Sequence, residues 1–196
     1  MRNSKKIIGL ILVFFISTAF TTLGRSTVAQ KPLLINFKEV IKIEPKIKII
    51  TSELEIKQSH KNFLHAIGRR ESSNRYDIVN RYGYMGKYQF GRKTLNSIGF
   101  KNIDNKTFLN SPEIQERAMI SLLKSNKKIL RRQIRRYVGT VVNGVYITES
   151  GLLAGAHLAG AGNVKKWLRN GRRFKDGLGT SMVSYIELFG GYKLNI

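Results

Sequence analysis

The sequence predicts a mainly helical α+β fold, a single compact domain that carries one small β-hairpin. Apolar residues recur every three or four positions along several stretches, which is the spacing of helices with one buried face. An Asn-Gly pair at residues 143 and 144 lies between β-branched runs, a composition preferred in two-residue hairpin turns. With 196 residues, 42% of them hydrophobic, the chain is long and apolar enough for one packed core.

The first 29 residues have the pattern of a secretory signal peptide. Three basic residues precede an apolar run over residues 7 to 20, and small or hydroxylated residues follow it. Small side chains three and one positions before a cut predict cleavage after Ala29. A membrane anchor is the alternative, because the run extended to Leu23 approaches the roughly 17 residues that span a bilayer. Either interpretation has the chain secreted across the bacterial inner membrane, to the periplasm or the extracellular space.

Residues 30 to 58 are predicted to form a linker. Lys and Glu nearly alternate there with Ile, Val and Leu, so residues 41 to 50 could pair as a short strand with one apolar face. Pro45 argues against a central strand, because it cannot donate to a ladder. The folded domain is therefore expected over residues 59 to 196.

The first half of this domain is predicted to hold two helices separated by a loop. Ser59 can cap a helix whose apolar stripe leads to Glu71 at its end. Residues 75 to 86 have no helical period and predict a loop. A short helix follows over residues 92 to 98.

The second half is predicted to hold the hairpin and the remaining helices. A long helix begins at Ser111 and continues, after a break near Asn126, to Gly139. The hairpin follows over residues 140 to 148. Three further helices are each expected to begin at a capping side chain, at Thr148, Asn163 and Thr180.

Charge and cysteine content limit the possible chemistry. Lys+Arg number 35 against 12 Asp+Glu, a formal net charge of +23, which predicts an acidic partner such as an anionic polymer or membrane surface. The absence of cysteine excludes disulfides, a thiol nucleophile and Cys-based zinc sites. Three isolated histidines leave little for a metal site, so we expect neither a metal nor an organic cofactor.

Glu71 is the first candidate for a catalytic group. It falls on the apolar side of its predicted helix near the C-terminus, where desolvation and the helix dipole both favour a protonated carboxyl. Such a carboxyl could donate a proton. The plain alternative is a solvated residue paired with Arg69, Arg70 or Arg75.

Three sequence blocks, in order, favour the catalytic interpretation. They are Glu-Ser-Ser-Asn at residues 71 to 74, Gly-Tyr-Met-Gly-Lys-Tyr-Gln-Phe at 83 to 90, and Ala-His-Leu-Ala-Gly-Ala-Gly-Asn-Val at 156 to 164. Over roughly residues 60 to 190 the chain resembles the lysozyme-like lytic transglycosylases, the superfamily of soluble lytic transglycosylases and goose-type lysozyme. The family's usual Tyr-Asn pair in the third block is His157-Leu158 here, as in a divergent member.

The resemblance implies a lysozyme-like fold with a sugar-binding groove that binds peptidoglycan glycan strands. It implies cleavage of the β-1,4 bond between N-acetylmuramic acid and N-acetylglucosamine, with Glu71 as general acid and then base and a 1,6-anhydromuramoyl product. Hydrolytic glycosidases normally use a second carboxylate. Asp77 and Asp104 are the loop candidates for it, and either could be a plain turn residue.

The resemblance also implies substrate-binding roles for several residues. Ser72 could bond Glu71 or the sugar, Gln89 could bind acetamido groups, and Met85 could supply an apolar wall. Tyr185 matches a family tyrosine expected to hydrogen-bond the catalytic carboxyl, and His157 is a possible substrate ligand. Each could instead be an ordinary packing or helix-end residue.

Two alternatives to the transglycosylase remain open at this point: a hydrolytic muramidase using Asp77 or a positioned water, and a catalytically inactive cationic protein that binds the cell wall. We expect a monomer that is attracted to the anionic cell envelope, in part through Arg131, Arg132, Arg135 and Arg136 on one predicted helix face. Nucleic acid is not an expected partner, because the chain lacks a recognition motif and an intracellular address.

Overall fold

A long helix, α1 (Phe37–Ser72), begins the part of the chain that is described by the structure, a computed structural model. The description covers the backbone of residues 37–196 and the side chains of residue 45 onward, except residue 47. Residues Ile43–Ile196 form the compact unit described below, and of the unit Met1–Lys42 only the helical residues 37 to 42 are described. The predicted signal peptide and the start of the predicted linker lie outside the described residues.

The possible strand over residues 41 to 50 is wrong, because residues 37 to 58 are helical, while the linker over residues 30 to 58 stays a prediction. Packing of Phe63 and Ile67 anchors the C-terminal half of α1, and helix propagates from an anchored segment at one bond per residue. Lys, Glu and Leu favour such propagation. The side chains of residues 48 to 55 are exposed, and Pro45 lies inside the helix.

The domain is mainly helical with one small antiparallel hairpin, as the sequence predicts. No helix among residues 37–196 combines the length and apolarity needed to cross a membrane. After α1 the elements are α2 (Arg92–Ser97), α3 (Asn105–Leu109), α4 (Pro112–Tyr137), β1 (Val141–Val142), β2 (Val145–Tyr146), α5 (Glu149–Ala159), α6 (Ala161–Asn170) and α7 (Met182–Leu188).

The hairpin is confirmed, and its turn has the predicted chemistry. Val141 pairs with Tyr146, and Val142 with Val145. The turn residues Asn143 and Gly144 have φ angles of 51° and 81°, the left-handed pair that a two-residue turn of this hand needs.

Helix α4 runs without interruption, so the predicted break near Asn126 is wrong. A polar residue in the apolar stripe looks like a boundary in the sequence. Asn126 is instead buried within the helix, on the same face as Leu122.

Helix α5 lies at the centre of the core and packs closely on α7. Thr148 caps α5, as predicted, by accepting a hydrogen bond from the Gly151 amide at 3.1 Å. A Cβ at Gly155 would lie 2.7 Å from Ile186 Cγ1, so only glycine permits this approach of α7. The prediction of an Asn163 cap is wrong, since α6 begins at Ala161 and the Asn163 amide donates to the Ala159 carbonyl.

Candidate active site

Glu71 lies in the last turn of α1, where the sequence places it. Ser73 and Asn74 follow with φ angles of 57° and 62°, and the Asn74 amide donates to the Gly68 carbonyl at 3.0 Å, which ends the helix. The carboxyl therefore lies at the negative end of the helix dipole. Its side chain is 14% exposed, enough for a ligand to reach it.

Tyr185 of α7 holds one oxygen of this carboxyl. Its hydroxyl donates to Glu71 Oε1 at 2.7 Å, across 114 residues of sequence. Burial raises the pKa of the Tyr185 phenol well above its ordinary value, and the Glu71 charge raises it further. The phenol therefore stays a hydrogen-bond donor throughout the physiological pH range. Oε2 of Glu71 accepts no hydrogen bond from the residues described.

His157 of α5 approaches the same oxygen. Its Nε2 lies 3.5 Å from Glu71 Oε1, and its side chain is 6% exposed. The ring packs edge-on against Phe90, with centroids 6.1 Å apart. Nδ1 is buried and has no hydrogen-bond partner within the described part of the chain. The His157 ring thus adjoins the carboxyl directly.

A cavity of about 750 Å³ opens at Glu71. Its walls come from the loop between α1 and α2, the inner face of α4, the C-terminal end of α5 and the loop before α7. Glu71, Gln89 and His157 all line it, so three of the six predicted site residues meet at one cavity. Tyr185 reaches the site through its hydrogen bond to Glu71.

Exposed aromatic and apolar side chains form the rim of the cavity. Tyr82 and Tyr84 come from the first loop, and Leu178 comes from the loop before α7. The Tyr82 hydroxyl lies 3.4 Å from the Gly177 carbonyl and links the two loops across the opening. Flat aromatic faces of this kind can stack on sugar rings.

Gln89 lines the cavity with half of its amide already in use. Its Nε2 donates to the Gly86 carbonyl at 2.9 Å, and Oε1 has no hydrogen-bond partner among the residues described. The backbone of Gln89 has a φ of 48°, in the left-handed region that side chains seldom adopt. The loop therefore presents this side chain at a cost in backbone strain.

Comparison with known families decides the identity of the domain. A family model described as Transglycosylase SLT domain matches residues 48–178, about two thirds of the chain. The chain belongs to this family. Neither curated proteins nor solved structures give a significant match. The match confirms the resemblance read from the three blocks, and SLT membership supports a glycan-cleaving role of the lytic transglycosylase type with peptidoglycan as substrate.

Two predicted residues of the SLT site do not reach the cavity. Met85 is buried and bridges Val79 and Phe90 through the backbone, so it supports the loop from below. The Ser72 hydroxyl donates to the Lys87 carbonyl at 2.8 Å and accepts from the Arg75 amide at 3.0 Å. It joins the end of α1 to the cavity loop and does not bond to Glu71.

The predicted second carboxylates lie elsewhere, which corrects the hydrolytic alternative based on Asp77. Asp77 is exposed and pairs with Arg75 at 3.2 Å, and Asp104 caps α3 through the Thr107 amide. Neither lines the cavity. Asp176, which sequence reasoning missed, does line it. The Leu178 and Thr180 amides donate to its Oδ1 at 2.9 and 2.7 Å.

A polar network that joins the loop between α1 and α2 to α4 was also missed in the sequence analysis. Lys87 Nζ and the hydroxyls of Tyr76 and Tyr88 each donate to Glu116 at 2.7 Å. Burial opposes ionisation of Glu116, but these three donors outweigh it and lower its pKa. Gln115, fully buried, accepts from the Lys87 amide and donates to the Tyr76 and Phe108 carbonyls. The signal that could have revealed this network is the adjacent polar pair Gln115 and Glu116 in α4, at the start of its apolar stripe.

Among the side chains that the structure describes, no group of three or more His, Asp or Glu is arranged to hold a metal ion. The cavity wall holds the carboxyls of Glu71 and Asp176 and the imidazole of His157. The chemistry available to these side chains is proton transfer and hydrogen bonding.

Proposed function

We propose that the chain is a secreted peptidoglycan lytic transglycosylase with Glu71 as general acid and base. The observation that carries this proposal is the Tyr185 hydrogen bond to Glu71 Oε1 at the wall of a cavity of about 750 Å³. Tyr185 donates a hydrogen bond to Oε1 of Glu71, while Oε2 has no partner among the described residues and is available for proton transfer.

The first step breaks the glycosidic bond. Protonated Glu71 donates its proton from Oε2 to the oxygen that joins C1 of N-acetylmuramic acid to N-acetylglucosamine. That bond breaks as positive charge develops at C1, and N-acetylglucosamine leaves with a free 4-hydroxyl. Tyr185 stabilises the carboxylate that remains, because a hydrogen bond to an ionised acceptor is about twice as strong as a neutral one.

The second step uses the same carboxyl as a base. The Glu71 carboxylate takes the proton of the muramoyl 6-hydroxyl, and that oxygen bonds to C1 to close the 1,6-anhydro ring. Glu71 returns to its protonated form, and no water is consumed. A single carboxyl on the reaction path is sufficient for this sequence.

Other features of the domain favour a glycan ligand. Oε1 of Gln89 can accept from a sugar hydroxyl or acetamido N–H, and the Tyr82 and Tyr84 rings can stack on sugar faces. A net charge of +23 would attract the chain to peptidoglycan carboxylates. Export through residues 1 to 29, the anchor alternative and the monomeric state stay predictions.

Hydrolysis is the second candidate, because Asp176 lines the same cavity. Its Oδ2 has no hydrogen-bond partner in the described part of the chain, and a second carboxylate could activate a water for attack at C1. The hydrolytic product would be a reducing muramic acid end.

The test is to incubate the full-length chain and Glu71→Gln with intact peptidoglycan and to read the released muropeptides by mass. We expect anhydro ends from the wild type and a loss of at least about 10³-fold in Glu71→Gln, since Gln cannot transfer the proton. Reducing ends would favour hydrolysis through Asp176. Binding without release by either protein would support the inactive wall-binding alternative.

A further inference from the structure

We propose that Asn126 and Leu122 of α4 form a subsite for an N-acetyl group of the glycan. The proposal rests on the proposed function for the identity of the polymer, but it concerns binding and can be tested without cleavage. Both residues line the cavity and are separated by one helical turn, so their side chains are neighbours.

The Asn126 amide is a buried polar group that has no hydrogen-bond partner among the described residues. The residue is 5% exposed, its Nδ2 is buried without a hydrogen-bond partner, and neither end of the amide bonds to another described residue. Buried polar groups in native proteins are nearly always hydrogen-bonded, so each exception needs a reason. A ligand that completes the bonding is such a reason.

Location distinguishes Asn126 from the other unpartnered buried atoms. Five side chains of the described residues carry such an atom, and only Asn126 and His157 line the cavity. Nε2 of His157 already faces Glu71 at 3.5 Å. Among the described residues, Asn126 is therefore the buried cavity side chain whose amide makes no hydrogen bond and does not face Glu71 in this way.

The chemistry of the wall indicates a neutral amide as the ligand group. Although the chain has 35 Lys and Arg residues, none is among the described residues that line the cavity. A carboxylate of the lactyl group or peptide would have no cation to pair with there. The Asp176 carboxylate would also repel an anion.

An acetamido group complements both members of the pair. It carries one carbonyl acceptor, one N–H donor and a methyl group. The Asn126 amide can meet the carbonyl or the N–H, because no protein hydrogen bond fixes which end faces the cavity. Leu122, one turn away, supplies apolar surface for the methyl.

The test compares two neutral β-1,4 tetrasaccharides, one of N-acetylglucosamine and one of glucose, which lacks the acetamido groups. Binding is measured by calorimetry on the full-length chain carrying Glu71→Gln, so that cleavage does not interfere. We expect Asn126→Leu to weaken binding of the acetylated sugar about tenfold and to leave the glucose sugar nearly unchanged.

Gln133→Leu is the matched control, because Gln133 lies on the same helix, also has a buried unpartnered amide atom, and does not line the cavity. It should leave both affinities unchanged. Asn126→Leu should also melt at the same or a higher temperature, since it removes an unsatisfied polar group.

An unchanged preference for the acetylated sugar in Asn126→Leu would overturn the subsite. So would a lower melting temperature together with equal losses for both sugars, because that pattern belongs to a structural residue. Absence of cleavage by the wild type would contradict the proposed function but leave this binding result valid.

Discussion

The two faces of α4 differ in charge, and the difference separates attraction from recognition. The outer face near its C-terminus exposes Arg131, Arg132, Arg135 and Arg136. The inner face presents Asn126 and Leu122 to a cavity whose described lining contains no Lys or Arg. Long-range attraction to an anionic polymer can therefore come from the surface, while the cavity selects neutral sugar groups. Salt should weaken the first and spare the second.

Among single contacts, loss of the Tyr185 hydrogen bond to Glu71 should have the largest effect on activity. Tyr185→Phe removes the donor to Glu71 Oε1 while keeping the ring that packs on Phe189. We expect kcat to fall about 10²-fold with KM nearly unchanged, because the contact stabilises the charge that develops on Glu71. Steady-state kinetics on soluble glycan fragments measure the split. A rise in KM at constant kcat would assign Tyr185 to substrate binding.

The hydrogen-bond network around Glu116 should control how the stability of the fold changes at acidic pH. The pKa of Glu116 is lowered in the folded state, so its stabilising contribution is complete above the unfolded pKa of about 4.3 and is lost as pH falls below it. Glu116→Gln should lower the free energy of unfolding by about 2 kcal/mol at neutral pH. The variant should also lose less stability than the wild type as the pH falls below about 5. Thermal melts across pH measure this effect. Glu113→Gln, an exposed change on the same helix, controls for the loss of one negative charge.

The smallest expected effect concerns the basic face. Replacing Arg131, Arg132, Arg135 and Arg136 with Gln should raise KM for intact peptidoglycan several-fold at low salt and leave kcat unchanged. The difference should disappear near 1 M salt, where the screening length falls to about 3 Å. Four Arg→Lys changes are the charge-matched control. A change in kcat would contradict the separation of the two faces.

Three local signals in the sequence predicted the local structure correctly. The stripe that leads to Glu71, the Asn143-Gly144 turn and the Thr148 cap each depend on neighbours within a few residues, and the structure has all three. The third block made His157 a possible substrate ligand, and the structure places it at the wall of the cavity that holds Glu71. The helix over residues 37 to 58 was missed because alternating Ile and Lys fit a strand as well as a helix.

Contacts between distant residues could not be read in the same way. Lys87 meets Glu116 across 29 residues, and Asp176 reaches the cavity from a loop with no motif of its own. Asp77 looked suitable because it follows Glu71 closely, yet its loop turns it outward to Arg75. Sequence proximity does not fix side-chain direction in a loop, whereas helical spacing does.

The origin of the oxygen at the new muramoyl end tests most directly whether Glu71 acts as the single carboxyl of a transglycosylase. The full-length protein digests peptidoglycan in water enriched in oxygen-18, and the released ends are read by mass. Intramolecular attack predicts ends that carry no oxygen-18 and are lighter than reducing ends by one water. Oxygen-18 at C1 of every new end would contradict the mechanism and assign the second step to water activated beside Asp176.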